Sequence, residues 1–303
     1  MIKVTAESFI RNPVLCAELS ALFPDTVYWD RQTGLADFCA DAEALVVGRE
    51  KIDRTLLDAC PHLKIVAKYG VGLDNIDRAA CAEKNIRIGW TGGVNAGSVA
   101  ELALAFMLGA AHNVFATGTA LRQGTWNKNG GVLLSGKTVG VIGVGHVGKE
   151  LVRLLRPFGC RILVNDIVPQ AGYYAGNGLE ECTKDDIYRQ ADFVTLHVPL
   201  TPETYHMVDA RALDLFAPHA FLVNTCRGET VDTAALKRAL LENRIGGVLA
   251  DVFGTEPCTD MELLGHPRFF GTPHIGGNAR EAVLAMGRSA IEHILYFYTN
   301  ASL

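Results

Sequence analysis

Long apolar runs are missing from this 303-residue sequence. The longest, residues 102–111, is too short to span a bilayer, so no membrane partner is expected. The opening Met-Ile-Lys-Val-Thr-Ala-Glu-Ser lacks the apolar stretch of a secretory leader, and the chain reads as cytoplasmic. A positive excess is missing too: 28 Lys and Arg face 33 Asp and Glu, a formal charge of -5. Without an overall basic field, nucleic acid is not expected as a partner, and small molecules are the default. Eight cysteines are present, yet none forms a CxxC pair or joins a Cys/His cluster at metal-ligand spacing. They read as reduced, buried thiols, with no metal site expected. Repeats, low-complexity tracts and charge blocks are absent as well, which leaves no sign of a solenoid or a disordered tail.

What remains is a chain with 49% hydrophobic and 20% charged residues, enough for one large or two medium folded domains. Short β-branched runs alternate with helix-like stretches throughout, the pattern of parallel sheets wrapped by helices. Strands are expected at 2–4, 27–29, 44–48, 63–69 and 86–90, with helices at 13–23 and 53–59 among them. A single long helix is expected over 99–121, with Leu102, Ala105 and Phe106 on one stripe continued by Gly109. That glycine either admits a close neighbour or weakens the helix. Further strands at 138–142, 161–165, 193–197, 220–224, 247–252 and 269–271 build a second, larger α/β unit. A last helix, 279–298, could return to the first.

One of these expected strands runs into Gly143-Val-Gly145-His-Val-Gly148, and a helix over 147–158 follows. GxGxxG between strand and helix allows a tight turn, a close approach of pyrophosphate and close helix packing, with helix amides and dipole facing the anion. The next expected strand ends on Asp166. A carboxylate there can accept both ribose hydroxyls of NAD and would repel the 2′-phosphate of NADP, and neighbouring Ile167 and Val168 offer no compensating positive charge. A glycine turn followed by an Asp that merely caps a loop would look the same.

Ligands in open parallel sheets sit outside the carboxyl ends of the strands, so polar residues after apolar runs are candidates. They include His197-Val-Pro-Leu-Thr-Pro-Glu203, Asn224-Thr-Cys-Arg227-Gly, Asp251-Val-Phe-Gly-Thr-Glu256-Pro and Pro273-His274-Ile-Gly-Gly277. An arginine fork can hold a carboxylate and polarise the adjoining carbonyl, while a histidine exchanges a proton with the hydroxyl oxygen. A glutamate bonded to the imidazole would fix its tautomer and favour the charged form. Each of the three taken singly could equally be a solvated or capping loop residue.

With Tyr69-Gly-Val-Gly-Leu-Asp-Asn-Ile-Asp77 and Asn95-Ala-Gly-Ser-Val-Ala-Glu101 added to these motifs, the chain resembles the D-isomer-specific 2-hydroxyacid dehydrogenase family over nearly its whole length. The resemblance implies two doubly wound parallel-sheet domains. A Rossmann NAD domain at 99–278 would be inserted into a flavodoxin-like substrate domain made of 1–98 and 279–303, with a hinged cleft between. It implies that Arg227 grips the substrate carboxylate and carbonyl, that His274 is the acid/base and that Glu256 supports it. Backbone amides around Val71 and Gly72, with Asn95, would help bind substrate. His146 and Val147, in the cofactor-binding loop with Gly143, Gly145 and Gly148, would meet the pyrophosphate, and Asp166 the adenosine ribose. Thr225, Cys226 and Asp251 would lie around the nicotinamide, and His197, Pro199, Thr204 and Gly276 would complete the cofactor site. A homodimer joined through the helix after Val99 and the following arm is also implied.

Within the family, the segments around Tyr69 and Asn95 look most like the 3-phosphoglycerate dehydrogenase branch. A substrate phosphate would need basic neighbours, for which Arg49, Lys68 and Lys128 are candidates. The chain departs from that branch in its short, less basic arm at Trp126, in Gly92 where a proline is usual, and in ending soon after His274, which leaves no room for a C-terminal regulatory domain. Glu256, where formate dehydrogenases of the superfamily carry Gln, speaks against formate. The alternatives are a reductase of glyoxylate, hydroxypyruvate or another 2-oxo acid and, from a different class, an NADH-sensing corepressor-like binding protein.

Overall fold

The computed structural model describes residues 1–300. The chain forms two compact units: Met1–Asn95 together with the chain from Gly277 onward, and Ala96–Gly276. Each is built on one parallel sheet.

In the first unit the strands are β1 (Ile2–Val4), β2 (Val27–Tyr28), β3 (Ala44–Val47), β4 (Ile65–Lys68) and β5 (Arg87–Gly89), in the spatial order β2-β1-β3-β4-β5. A parallel sheet needs cover on both faces, and the residues of β3 show it. Ala44 and Val46 pack into one apolar cluster with Phe9, Leu15 and Ile294, while Leu45 and Val47 pack into another with Leu56, Leu57 and Ile76. The helix Arg280–Asn300 closes the first of these faces through Met286, Ala290 and Ile294. Its Gly287 lies so close to Leu15 that a Cβ there would meet that side chain at 2.3 Å.

The second unit holds β6 (Thr138–Ile142), β7 (Arg161–Asn165), β8 (Glu180–Glu181), β9 (Phe193–Leu196), β10 (Phe221–Asn224), β11 (Gly247–Ala250) and β12 (Phe269–Gly271). Their order is β12-β11-β10-β9-β6-β7-β8. The same two-sided burial recurs: Val139, Val141, Val223 and Leu249 face one cluster, Ile142, Leu196, Leu222 and Val248 the other. The chain leaves β6 for β7 and β8, then returns to place β9 on the other flank of β6. That reversal opens a crevice at the carboxyl ends of β6 and β9, where a doubly wound sheet takes its ligand.

The single helix expected over 99–121 is instead two, Ala96–Ala111 and Val114–Arg122, bent by 67°. The break comes at Asn113, whose backbone is left-handed with φ 52°. It lets Phe115 fold back on Gly109, where a Cβ would lie 2.3 Å from the ring. The glycine thus serves close approach. Strand β8 was invisible to an apolar pattern because both its residues are exposed glutamates at the sheet edge. The helix after the glycine loop, His146–Leu155, ends in a tighter 3₁₀ turn, Arg156–Phe158, where Pro157 cannot donate the next helical bond. Among the described residues no single helix is long and apolar enough to cross a membrane.

Candidate active site

The loop after β6 is shaped by the space its glycines leave. Gly143 takes φ 94°, and a Cβ there would meet the His197 carbonyl oxygen at 2.4 Å. A Cβ on Gly148 would meet the Gly143 carbonyl oxygen at 2.1 Å, so only glycine lets the helix seat this deeply. Gly145, by contrast, faces open space within 4 Å, a cradle that a side chain would fill. The amides of Gly145, His146 and Val147 make no hydrogen bond among the described residues. An exposed row of amides at a helix start, under the positive end of the helix dipole, suits a pyrophosphate.

Asp166 ends this loop's other wall. Its carboxylate accepts the Val144 amide at 2.5 Å and the Val168 amide at 2.8 Å, which ties the end of β7 to the glycine loop. Gln170 adds a bond to the Val144 carbonyl at 3.2 Å. Two acceptor sites on the carboxylate are thereby used, and its remaining lone pairs suit a diol.

Along the neighbouring strand ends, His197 bonds the Thr195 hydroxyl through Nε2 at 2.9 Å, and burial pushes its pKa down to about 3. Thr204 donates its hydroxyl to the Pro199 carbonyl at 2.7 Å and accepts the Thr201 amide, closing the turn after β9. Thr225 is buried just after β10, and its hydroxyl has no hydrogen-bond partner among the described residues. An orphaned buried hydroxyl is costly unless a ligand completes it. The cradle at Gly145, the unpaired amides and this hydroxyl fit a dinucleotide. Cys226 gives its thiol to Asn224 Oδ1 at 3.2 Å, and burial raises its pKa.

Asn224 orders the turn that carries Arg227. Its Nδ2 donates to the Arg227 carbonyl at 2.9 Å while its Oδ1 accepts the Cys226 amide at 3.1 Å. The half-buried Arg227 donates Nη1 to the Cys226 carbonyl at 2.7 Å. Gly228 follows because a Cβ there would strike the Phe253 carbonyl carbon at 1.9 Å. The loop containing Phe253 also carries Glu256, which accepts the Phe253 amide at 3.2 Å.

Glu256 meets His274. Both carboxylate oxygens lie against Nδ1, at 3.0 and 2.9 Å, with the glutamate side chain 18% exposed and the histidine 33%. His274 itself sits in a left-handed turn, φ 55°. That conformation strains a side-chain-bearing residue, and a buried acid beneath it supplies the restraint. Asp251, 1% exposed, accepts the Thr272 hydroxyl at 2.5 Å, the Ile275 amide at 2.8 Å and the Gly276 amide at 2.7 Å. Asn224 heads one of the motifs quoted from the sequence but has no role assigned there, and Thr272 is not singled out at all. Their signal, a polar residue as the last or first after an apolar strand, is shared with many ordinary caps.

The first unit holds the other candidates. Lys68 is buried, its ammonium donating to the Gly48 carbonyl at 2.5 Å and to Asn75 Oδ1 at 2.6 Å, while Arg49 is exposed at the end of β3. Val71 and Gly72 follow β4, half-buried, and Asn95 lies against Gly277, where a Cβ would meet its Nδ2 at 2.9 Å. In the second unit Lys128 lies in a wholly exposed segment, residues 121–133. Among the described residues no group of His, Cys, Asp or Glu is placed to hold a metal ion.

Comparison with known proteins adds family, relatives and structural neighbours. Residues 104–276 match the family described as "D-isomer specific 2-hydroxyacid dehydrogenase, NAD binding domain". The chain is 36% identical to a glyoxylate reductase of Thermococcus litoralis, over 85% of this chain and 81% of that one. It is 37% identical to a D-3-phosphoglycerate dehydrogenase of Mycobacterium bovis over 84% of its own length, and spans about half (49%) of that relative. Among solved structures, the TT0316 protein of Thermus thermophilus superposes with a TM-score of 0.89 at 28% identity, covering 99% of this chain and 97% of that one.

Proposed function

This chain belongs to the D-isomer specific 2-hydroxyacid dehydrogenase family, and we propose that it interconverts a small D-2-hydroxy acid and its 2-oxo acid with Arg227, Glu256 and His274 as the reacting group of side chains. The observation that carries this reading is the pair formed by His274 Nδ1 and both oxygens of Glu256.

NAD, when bound, takes the hydride from C2 of the hydroxy acid or returns it to the oxo acid. The protein's own work is positioning and proton transfer. A Glu256 carboxylate on Nδ1 sets the tautomer, which makes Nε2 the nitrogen that receives the hydroxyl proton in oxidation and gives it back in reduction. Arg227 holds the carboxylate and draws charge from the C2 oxygen, a task for which its planar fork is suited and a lysine is not. The amides of Gly145, His146 and Val147 receive the pyrophosphate, and Asp166 the adenosine ribose in preference to a 2′-phosphate. Thr225, Cys226 and Asp251 lie around the nicotinamide, and His197, Pro199, Thr204 and Gly276 complete the cofactor site.

For the substrate, a 3-phosphoglycerate-like acid is the first reading, with Arg49, Lys68 and Lys128 as its basic neighbours and Val71, Gly72 and Asn95 around the carboxylate. A second, reduction of glyoxylate or hydroxypyruvate, draws support from Lys68, whose ammonium already serves two protein acceptors. We further infer a cytoplasmic homodimer. Val114, Leu121, Trp126, Val132 and Leu133 are exposed on the second helix and the arm, apolar side chains that a second copy would cover.

Initial rates of NADH oxidation with 3-phosphohydroxypyruvate, hydroxypyruvate, glyoxylate, pyruvate and 2-oxoglutarate test the reading. Turnover of at least one is expected, and inactivity with all five would sink it.

A further inference from the structure

The loop that leaves β4 is held firmly at its two ends. At one, Lys68 reaches the Gly48 carbonyl and Asn75; at the other, Asn75 Nδ2 donates to the carbonyls of Gly48 at 3.1 Å and Glu50 at 2.5 Å. Its middle is different. The amides of Gly70, Val71 and Gly72 make no hydrogen bond among the described residues. Trp90 reaches this stretch from the next strand: its indole Nε1 donates to the Val71 carbonyl at 2.7 Å. Trp90 follows β5 directly, one step past the register pair Ala67 and Gly89, so the strand pairing itself delivers the indole beside this loop.

A trans peptide unit is planar, and its C=O and N–H point in opposite directions. A bond that fixes the Val71 carbonyl therefore fixes the Gly72 N–H on the other side of the same unit. The restraint matters here because glycine at 70, with φ 127°, and at 72 gives the chain little preference of its own. If the unit flipped, an anion would meet a carbonyl oxygen in place of an amide. The indole is also a donor only, so it can hold the carbonyl but offers nothing to a flipped amide.

We propose that Trp90 is a positioning residue for the substrate carboxylate: it locks the Val71–Gly72 peptide so that the row of unpaired amides presents N–H groups to the anion. The proposal rests on the reading of this chain as a 2-oxo acid reductase. Its substrate class is that of the proposed function, and amide N–H donors reward a carboxylate more than a neutral 2-oxo amide.

The test compares the wild-type enzyme with Trp90→Phe, which keeps a ring and loses the donor. With the best 2-oxo acid of the panel, KM is expected to rise about tenfold, with kcat within about twofold and KM for NADH unchanged. The Ki of oxamate, read against that substrate, should rise in step, and the preference for the 2-oxo acid over its amide should narrow by the same factor. A purely structural role would lower activity on acid and amide alike. A second measurement does not require the variant to fold: with Trp29 and Trp126 replaced by Phe, emission from Trp90 should change when oxamate binds the NADH complex. A wild type active on a 2-oxo acid whose KM and Ki survive Trp90→Phe, or whose Trp90 emission ignores oxamate, overturns this proposal alone. A wild type inactive with every 2-oxo acid removes the premise and the proposal together.

Discussion

The buried carboxylate of Asp251 accepts the backbone amide of Gly276 at 2.7 Å, and a Cβ on Gly276 would come within 2.9 Å of the same oxygen. The acid and the glycine are thus matched across the turn that carries His274. With the Ile275 amide and the Thr272 hydroxyl on the other oxygen, Asp251 restrains a left-handed histidine from below. Asp251→Asn keeps the shape but replaces one acceptor by a donor facing amides or a hydroxyl. Loss of a charged acceptor of this kind costs about 2–3 kcal/mol, and we expect a lower thermal midpoint together with at least a tenfold loss of kcat. A variant that unfolds and turns over like the wild type would show that the turn holds itself.

Glu256 and His274 should separate in their effects. His274→Gln removes the proposed proton carrier, for which a loss of about 10²–10⁴ in kcat is expected, while NADH binding, read by fluorescence titration, stays near that of the wild type. Glu256→Gln leaves the imidazole and removes only the charge against Nδ1, so its loss should be smaller, about tenfold to a hundredfold. Equal kcat in Glu256→Gln and the wild type would separate the pair seen in the structure from the chemistry.

Asp166 ties the glycine loop and, in the proposed function, selects the cofactor, and one substitution reads both. Its carboxylate binds the Val144 and Val168 amides, so Asp166→Ala should cost about 1–2 kcal/mol of stability in denaturant unfolding. The same change removes the repulsion of a 2′-phosphate and should narrow the ratio of kcat/KM for NADH over NADPH by roughly tenfold or more. If the wild type prefers NADPH, the carboxylate does not select the cofactor.

His197 ties stability to pH. Its folded pKa, pushed down to about 3 by burial, lies below the ordinary value of 6.5, so between these values the unfolded chain binds the extra proton. Its contribution is therefore fully present above about pH 6.5 and is lost as pH falls toward 3. Each unit of pH inside that window is worth at most about 1.4 kcal/mol, and because the residue is only half-buried as a whole we expect about 1 kcal/mol at pH 5.5. Thermal midpoints measured from pH 7.5 to 5 should fall less steeply for His197→Asn. Parallel slopes would place the acid sensitivity elsewhere.

How much of this was legible in the residue order differs from element to element. The parallel strands were, because a strand covered on both faces must be apolar at consecutive positions, as Ala44–Val47 is; the two-residue edge strand Glu180–Glu181 was not, because nothing covers it. The glycine loop was legible since Gly143 and Gly148 occupy places where any Cβ would strike a carbonyl oxygen, a local constraint that marks the sequence directly. The break at Asn113 was not, because an apolar stripe runs up to it and the bend is fixed by where Phe115 finds room.

The sequence by itself determined the fold class, the glycine loop with its acid, and the inventory of candidate side chains, for these depend on short-range sterics and on burial that repeats along the strand. Tertiary structure alone decided which side chains meet. Glu256 reaches His274 and Asp251 reaches Gly276 because β11 and β12 lie side by side and end at one level. Trp90 reaches Val71 because β4 and β5 do the same. Such pairings join residues far apart in the chain, and the hydrogen bonds that select them exist only once the strands have paired.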